Sequence, residues 1–202
     1  MGKTREKWSL FGEAGPLSKV CYDAARRWSV RAEILVVGSE LLLGQIVDTN
    51  SAYIARELAG AGVDLYYKTT VGDNLGRLEG AIRQALGRAE IVITAGGIGP
   101  TLDDVTREAV AAATDRELVF SAHLMAQIEA FFAARGFKLS PSNQRQAYIP
   151  AGAIPIENPV GTAPAFIVEA GPGCVITLPG VPREMQHLLR TRVMPYLRDR
   201  YK

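Results

Sequence analysis

From residue 31 onward the apolar positions follow two alternating rhythms, short unbroken runs and stripes at helical spacing. Residues 32–38 (AEILVVG) form an apolar run closed by glycine, the pattern of a strand buried on both faces. Residues 49–61 carry Ala52, Ile54, Ala55, Leu58 and Ala59 on one helical face, with Asp48 placed to cap that helix and Gly60 and Gly62 to stop it. Residues 63–71 (VDLYYKTTV) read as a second strand, and 72–74 (GDN) turn into a helix over 75–88 whose inner face holds Leu78, Ile82, Ala85 and Leu86. Residues 91–95 form a third strand, and 104–114 the helix after it. Such a β-α-β-α-β-α order predicts a parallel sheet with helices on both faces. Ligands in these sheets sit outside the carboxyl ends of the strands. The polar segments 39–50, 72–74 and 96–106 all belong to that rim.

The second half is less regular. A helix is predicted over 122–135, with Leu124, Met125, Ile128, Phe131 and Phe132 as its stripe, and a short one over 141–147. Strands follow at 153–156, 165–169 and 174–178, and Gly171-Pro172-Gly173 makes the last two a hairpin, so an antiparallel strand is expected at the sheet edge. A closing helix is expected over 183–192. Residues 1–30 lack this regularity, and only 17–28 suit a short helix. They read as an N-terminal extension ahead of one domain over 31–202.

Charge and cysteine content narrow the chemistry. The 202 residues carry a net charge of +2 without a long basic run, which argues against a dedicated nucleic-acid binder. Cys21 and Cys174 give neither a disulfide framework nor zinc spacing, and His123 and His187 are the sole histidines. A bound metal should therefore be hard and held by oxygen. No apolar stretch is long enough to span a bilayer, and no secretory h-region opens the chain, so a cytoplasmic protein without membrane contact is expected.

The densest chemistry lies in residues 91–106, IVITAGGIGPTLDDVT. Gly96, Gly97 and Gly99 after a strand expose backbone N–H groups suited to an anion, or simply make a tight turn. Spacing excludes both GxxxxGK[ST] and GxGxxG, because Leu102 stands where a last glycine is needed. Asp103 and Asp104 read as a helix cap and a first-turn acid, or as acids that share a cation with a phosphate. Glu40 and Asp73 follow the first two strands on the same rim, as further acidic contributors or as turn formers. Arg145 has the guanidinium fork that suits a phosphate, or it lies on a solvated helix face beside Gln146.

Six motifs then occur in one order: GSELLLGQIVDTN (38–50), VGDN (71–74), AGGIGPTLDDVT (95–106), SNQRQAYIP (142–150), NPVGTAPAF (158–166) and LPGVPREM (178–185). Together they resemble the N-terminal domain of the CinA family, a branch of the molybdopterin-binding MoaB/MogA/MoeA proteins. The resemblance covers about residues 31–200. It implies a three-layer α/β/α sandwich with a mostly parallel sheet. It also implies a ligand that carries phosphate, a nucleotide or molybdopterin, handled with a divalent metal (Mg²⁺, Mn²⁺ or Co²⁺). CinA-type domains are associated with hydrolysis of ADP-ribose at its pyrophosphate, MogA-type members with adenylyl transfer, and other relatives with binding alone.

By match to these motifs, Asp104, Asp103 and Arg145 are expected to be catalytic, and Asp104, Asp73 and Glu40 to hold the metal. Gly96, Gly97, Gly99, Thr101, Ser39, Asn50, Gln146, Asn158, Gly161, Thr162, Pro179 and Gly180 are expected to surround the ligand. Ser39 and Ala165 stand where the family commonly has threonine and glycine. The resemblance further implies a homo-oligomer. The deamidase domain of longer CinA proteins is not matched by any part of this sequence, so no such activity is expected of it.

Overall fold

A computed structural model describes residues 30–201. Cys21 and the short helix expected over 17–28 lie outside the described residues. In chain order the elements are β1 (Arg31–Val37), the single-turn α1 (Ser39–Leu42), α2 (Thr49–Gly60), β2 (Asp64–Val71), α3 (Leu75–Leu86), β3 (Ile91–Ala95), α4 (Thr106–Ala113), β4 (Leu118–Phe120) and α5 (Ala122–Ala133). A 3₁₀ segment (Pro141–Ala147) follows, then β5 (Tyr148–Pro150), β6 (Ile154–Ile156), β7 (Ala165–Ala170), β8 (Gly173–Leu178), α6 (Pro182–Leu188), a π-helical stretch (Leu189–Val193) and α7 (Met194–Tyr201).

Six strands form one sheet in the order β2-β1-β3-β8-β7-β6. The first four are parallel, with Thr94 of β3 facing Leu35 on one side and Thr177 on the other. β7 runs antiparallel to β8, and β6 antiparallel to β7. The central strands are buried end to end, as unbroken runs of Ile, Leu and Val require when both faces are covered. On one face Ile34, Val36, Ile93 and Ile176 pack on Ile54 and Leu58 of α2, Met185 and Leu188 of α6 and Leu197 of α7. On the other Leu35, Val92, Val175 and Phe166 pack on Leu78 and Ile82 of α3, Val110 of α4 and Leu124 of α5. Three layers result, with the core split by the sheet.

Capping follows the sequence. The Asp48 carboxylate accepts from the Ser51 N–H, Asn74 from Arg77, and the Ser121 hydroxyl from Leu124. Three features were not legible in the periodicity. β4 and β5 pair as a separate two-stranded ribbon, three residues each and too short to show alternation. α4 starts at Thr106, later than expected, so neither Asp103 nor Asp104 caps it. The closing helix runs on to Tyr201 through the π-helical stretch. Pro195 accounts for that widening: it has no N–H to donate and its ring displaces the carbonyl one turn back. Among the described residues no helix is long and apolar enough to cross a membrane.

Candidate functional site

Six of the strand ends meet on one rim. β1, β2, β3 and β8 finish there, and the antiparallel pairing of Ile156 with Ala165, and of Phe166 with Thr177, brings the end of β6 and the start of β7 to the same place. The 3₁₀ segment joins them through Arg145, whose Nη1 donates to the Thr101 carbonyl at 2.7 Å. Every residue expected at the site thus lies along this rim, but the side chains there divide into three groups.

The glycine loop after β3 is tied to itself. Asp104 Oδ1 accepts from the Gly99 N–H at 2.7 Å, and Oδ2 from the Thr101 N–H at 2.8 Å and the Thr101 hydroxyl at 2.5 Å. Three of the roughly four lone-pair positions of that carboxylate are therefore occupied. A Cβ on Gly99 would lie 2.6 Å from Asp104 Oδ2, so only glycine lets the carboxylate fold back this closely. Gly97, at φ +66°, leaves no room beside Thr106 and Val37. Arg107, buried to 2 % exposure, donates from Nη1 to the Ile98 carbonyl at 2.5 Å and from Nη2 to Gly99 at 2.6 Å. Burial pushes its guanidinium pKa down, partly offset by Glu108 and Asp104. Arg145 braces the same loop from outside and pairs with Glu108 at 3.0 Å. Asp103 is exposed. Among the described residues, the loop N–H groups that donate to no protein acceptor include those of Gly97 and Ile98.

The rim beside β1 and β2 is open. Asp73 Oδ2 accepts from the Ser39 N–H at 2.9 Å and its hydroxyl at 2.8 Å, which leaves Oδ1 without a hydrogen bond among the described residues. The Glu40 carboxylate lies over Gly38, where a Cβ would come within 2.6 Å of it. Beside these a cavity of about 170 Å³ is lined by Glu40, Leu41, Asp48, Asn50, Gly180 and Pro182, among others. Asn50 Nδ2 donates to the Gly180 carbonyl at 2.7 Å, whereas its Oδ1 is buried with no partner among the described residues. Burial pushes the Asp48 carboxyl up, but the Ser51 N–H and hydroxyl together with Lys68 outweigh this and hold it below its ordinary range.

The third group surrounds the loop before β7. Asn158 is fully buried; its Nδ2 donates to the Ala163 carbonyl at 3.0 Å and to Glu184 Oε2 at 2.6 Å. A Cβ on Gly161 would collide with the Glu184 carboxyl group. Gln146 reaches the Thr162 hydroxyl at 3.4 Å. Pro179 and Gly180 bring β8 onto Gly96, whose Cα lies 3.3 Å from a Cβ built on Gly180. Glu184 was not among the expected site residues, although its motif was; burial raises its carboxyl pKa, with Asn158 and Arg183 opposing. Arg107 was missed as well, because only burial separates it from a helix-surface arginine.

Three ligands from the acids expected to share a cation are not assembled: among the described residues no three His, Cys, Asp or Glu side chains converge as a metal-ligand set. Asp104 is turned into its own loop, away from Asp73 and Glu40, because the loop's N–H groups satisfy it there. What remains is Asp73 and Glu40 on adjoining loops, Asp73 being tied to Ser39, the residue before Glu40. Mg²⁺-type ions commonly take one or two carboxylates and complete their shell with ligand phosphate and water.

A family profile described as "Probable molybdopterin binding domain" matches residues 33–199. The chain belongs to that family. Within the family it is 49% identical over 169 residues to a candidate competence-damage inducible protein of Halothermothrix orenii, covering 84% of this chain and 41% of that one. The CinA protein of Thermoplasma acidophilum superposes with a TM-score of 0.76 at 38% identity, covering 82% of this chain and 97% of that chain. The molybdopterin biosynthesis enzyme MoaB of Thermus thermophilus, at 23% identity and a TM-score of 0.57 over 83% of this chain and 91% of that chain, shares the fold. This molybdopterin-binding-type domain is thus of the CinA kind, and it spans 41% of the length of the Halothermothrix relative.

Proposed function

We propose that residues 31–202 form a cytoplasmic, homo-oligomeric domain that binds a phosphate-bearing nucleotide or pterin at the open rim and hydrolyses ADP-ribose-like pyrophosphates with a divalent cation. The observation that carries the reading is the buried, unpaired Asn50 Oδ1 on the rim cavity. A buried acceptor without a partner costs about 1–3 kcal/mol, and a ligand hydroxyl or N–H would recover it. Ribose and pterin both offer such donors.

Asp73 and Glu40 would hold the cation together with the ligand's own phosphate. When bound, Mg²⁺, Mn²⁺ or Co²⁺ neutralises charge on the pyrophosphate and acidifies water. The chain's own groups do the rest. Ser39 fixes the Asp73 carboxylate through two hydrogen bonds, so its free oxygen is held in place before the ligand arrives. The N–H groups of Gly97 and Ile98, which donate to no protein acceptor among the described residues, would donate to a phosphate oxygen from a loop that Arg107 and Arg145 hold by hydrogen bonds. Water attacks one phosphorus in line, the bridging P–O bond breaks, and two phosphomonoesters leave. Exposed Leu42, Leu43, Ile46 and Val47 beside the rim support self-association.

The test is product analysis of purified protein with ADP-ribose and each cation, beside Asp73→Asn. Release of AMP and ribose 5-phosphate, lost in the variant, supports hydrolysis. The inward turn of Asp104 favours a second reading, a binding module without chemistry. Ligand-induced thermal stabilisation without product, whichever cation is added, would select it and sink the first.

A further inference from the structure

A second feature lies next to the rim and has no role in the chemistry above. α6 and the π-helical stretch carry Arg183, His187 and Arg190 at helical spacing, so the three share one face. With Tyr53, Gln186 and Thr191 they line an open groove of about 640 Å³ on the α2 side. No carboxylate lines it, and none of its three basic residues forms an ion pair among the described residues. The nearest acid in sequence, Glu184, feels the charge of Arg183 but accepts its hydrogen bond from Asn158 and forms no ion pair with the guanidinium. Arg56, outside the groove lining, lies 5.8 Å from the centre of the Tyr53 ring. A concave surface that gathers unpaired guanidinium groups beside an aromatic ring suits an anion attached to a ring or sugar.

The groove and the rim cavity are lined by successive residues of the same two elements. Asn50 and Pro182 line the cavity, while Tyr53, one helical turn after Asn50, and Arg183, next after Pro182, line the groove. We propose that the groove is an anion subsite that receives a second phosphate-bearing part of the ligand whose first part occupies the rim cavity. This rests on the rim being the ligand site. It specifies an elongated ligand with a diphosphate between two larger ends, such as a sugar-diphosphate-nucleoside, in preference to a single phosphomonoester.

The test is calorimetric titration of the full chain with ADP-ribose in which a methylene group replaces the bridging oxygen, so that binding is read without cleavage. Arg183→Ala and Arg190→Ala should each weaken binding about tenfold and the double variant about 100-fold, one charged-group hydrogen bond apiece. Arg190→Lys should retain most of the affinity, and the double variant should lose part of the salt dependence. AMP, which cannot span both places, should respond to Asn50→Ala or to the arginine variants, not to both. Unchanged affinity in the double variant with a loss in Asn50→Ala overturns the groove and leaves the rim reading intact. Loss in the arginine variants with none in Asn50→Ala overturns the spanning ligand and the rim reading together. A thymidine decamer bound more tightly than the dinucleotide-like probe would also overturn it, in favour of single-stranded nucleic acid.

Discussion

The two ends of the same sheet treat charge in opposite ways. At the amino ends of the strands Arg31 and Glu90 pair at 2.6 Å, and Glu33, buried in β1, meets Arg88 through two bonds of 2.7 Å while that guanidinium lies 3.7 Å from the centre of the Tyr67 ring. At the carboxyl ends Asp73 and Glu40 keep free oxygens and Asn50 Oδ1 is left without a partner. A buried unpaired acceptor lowers stability, so Asn50 Oδ1 marks that end as built for something outside the chain, while the exposed carboxylates of Asp73 and Glu40 stay solvated until a ligand meets them.

The largest effect should come from the brace of the carboxyl end. Arg107→Ala should cost about 3–5 kcal/mol in urea unfolding, from two charged hydrogen bonds and the cavity left behind. A cost below about 1 kcal/mol would mean that the glycine loop holds its shape unaided. Asp73→Asn sharpens the comparison from the other side. It keeps an acceptor for Ser39, so stability should stay within about 0.5 kcal/mol while kcat/KM for ADP-ribose falls about 100-fold, or about 2.7 kcal/mol. If stability and turnover fall together, Asp73 is as structural as Glu90.

Gly161→Ala should destabilise by about 1–3 kcal/mol because the new methyl meets the Glu184 carboxylate. Adding Glu184→Ala should restore much of this, as measured by thermal denaturation; no recovery would place the strain elsewhere. The smallest effect is in acid. Hydrogen bonding to Arg31 holds the Glu90 carboxyl at about 2, against an ordinary 4.5. Its contribution is present above pH 4.5 and fades as pH falls towards 2, so Arg31→Ala should flatten stability across that window. Glu184 has the opposite sign. Burial raises its pKa, so its share of stability falls as pH rises through the range just above 4.5, and Glu184→Gln should remove that slope.

Much of the layout was legible in the chain. β3 spans the expected residues, and β1, β2, α2, α3 and α5 differ from expectation by one to a few residues at their ends. Long apolar runs and helical stripes carry that information locally. The ribbon of β4 and β5 was illegible because three residues hold no period, and the length of the final helix because Pro195 reads as a stop. Within the site, the placement of Gly96, Asn50 and Asp73 on one rim followed from strand order, whereas Asn158 and Gly180 were expected at the ligand only through the resemblance to the family. The division of labour among them followed from neither.

By itself the sequence determined which residues stand at the carboxyl ends of the strands, since alternation and turn chemistry fix where each strand stops. Only the tertiary structure decided which carboxylates are spent. Asp104 and Asp73 look alike in sequence, two acids after two strands, but whether an oxygen is free depends on which N–H groups fold back upon it. Gly99 and Thr101 close over Asp104 from its own loop, whereas Asp73 is met on one oxygen by Ser39 from a different strand's loop. Hydrogen bonds that join separate loops are set by how the strands lie side by side, and spacing along one chain does not encode them.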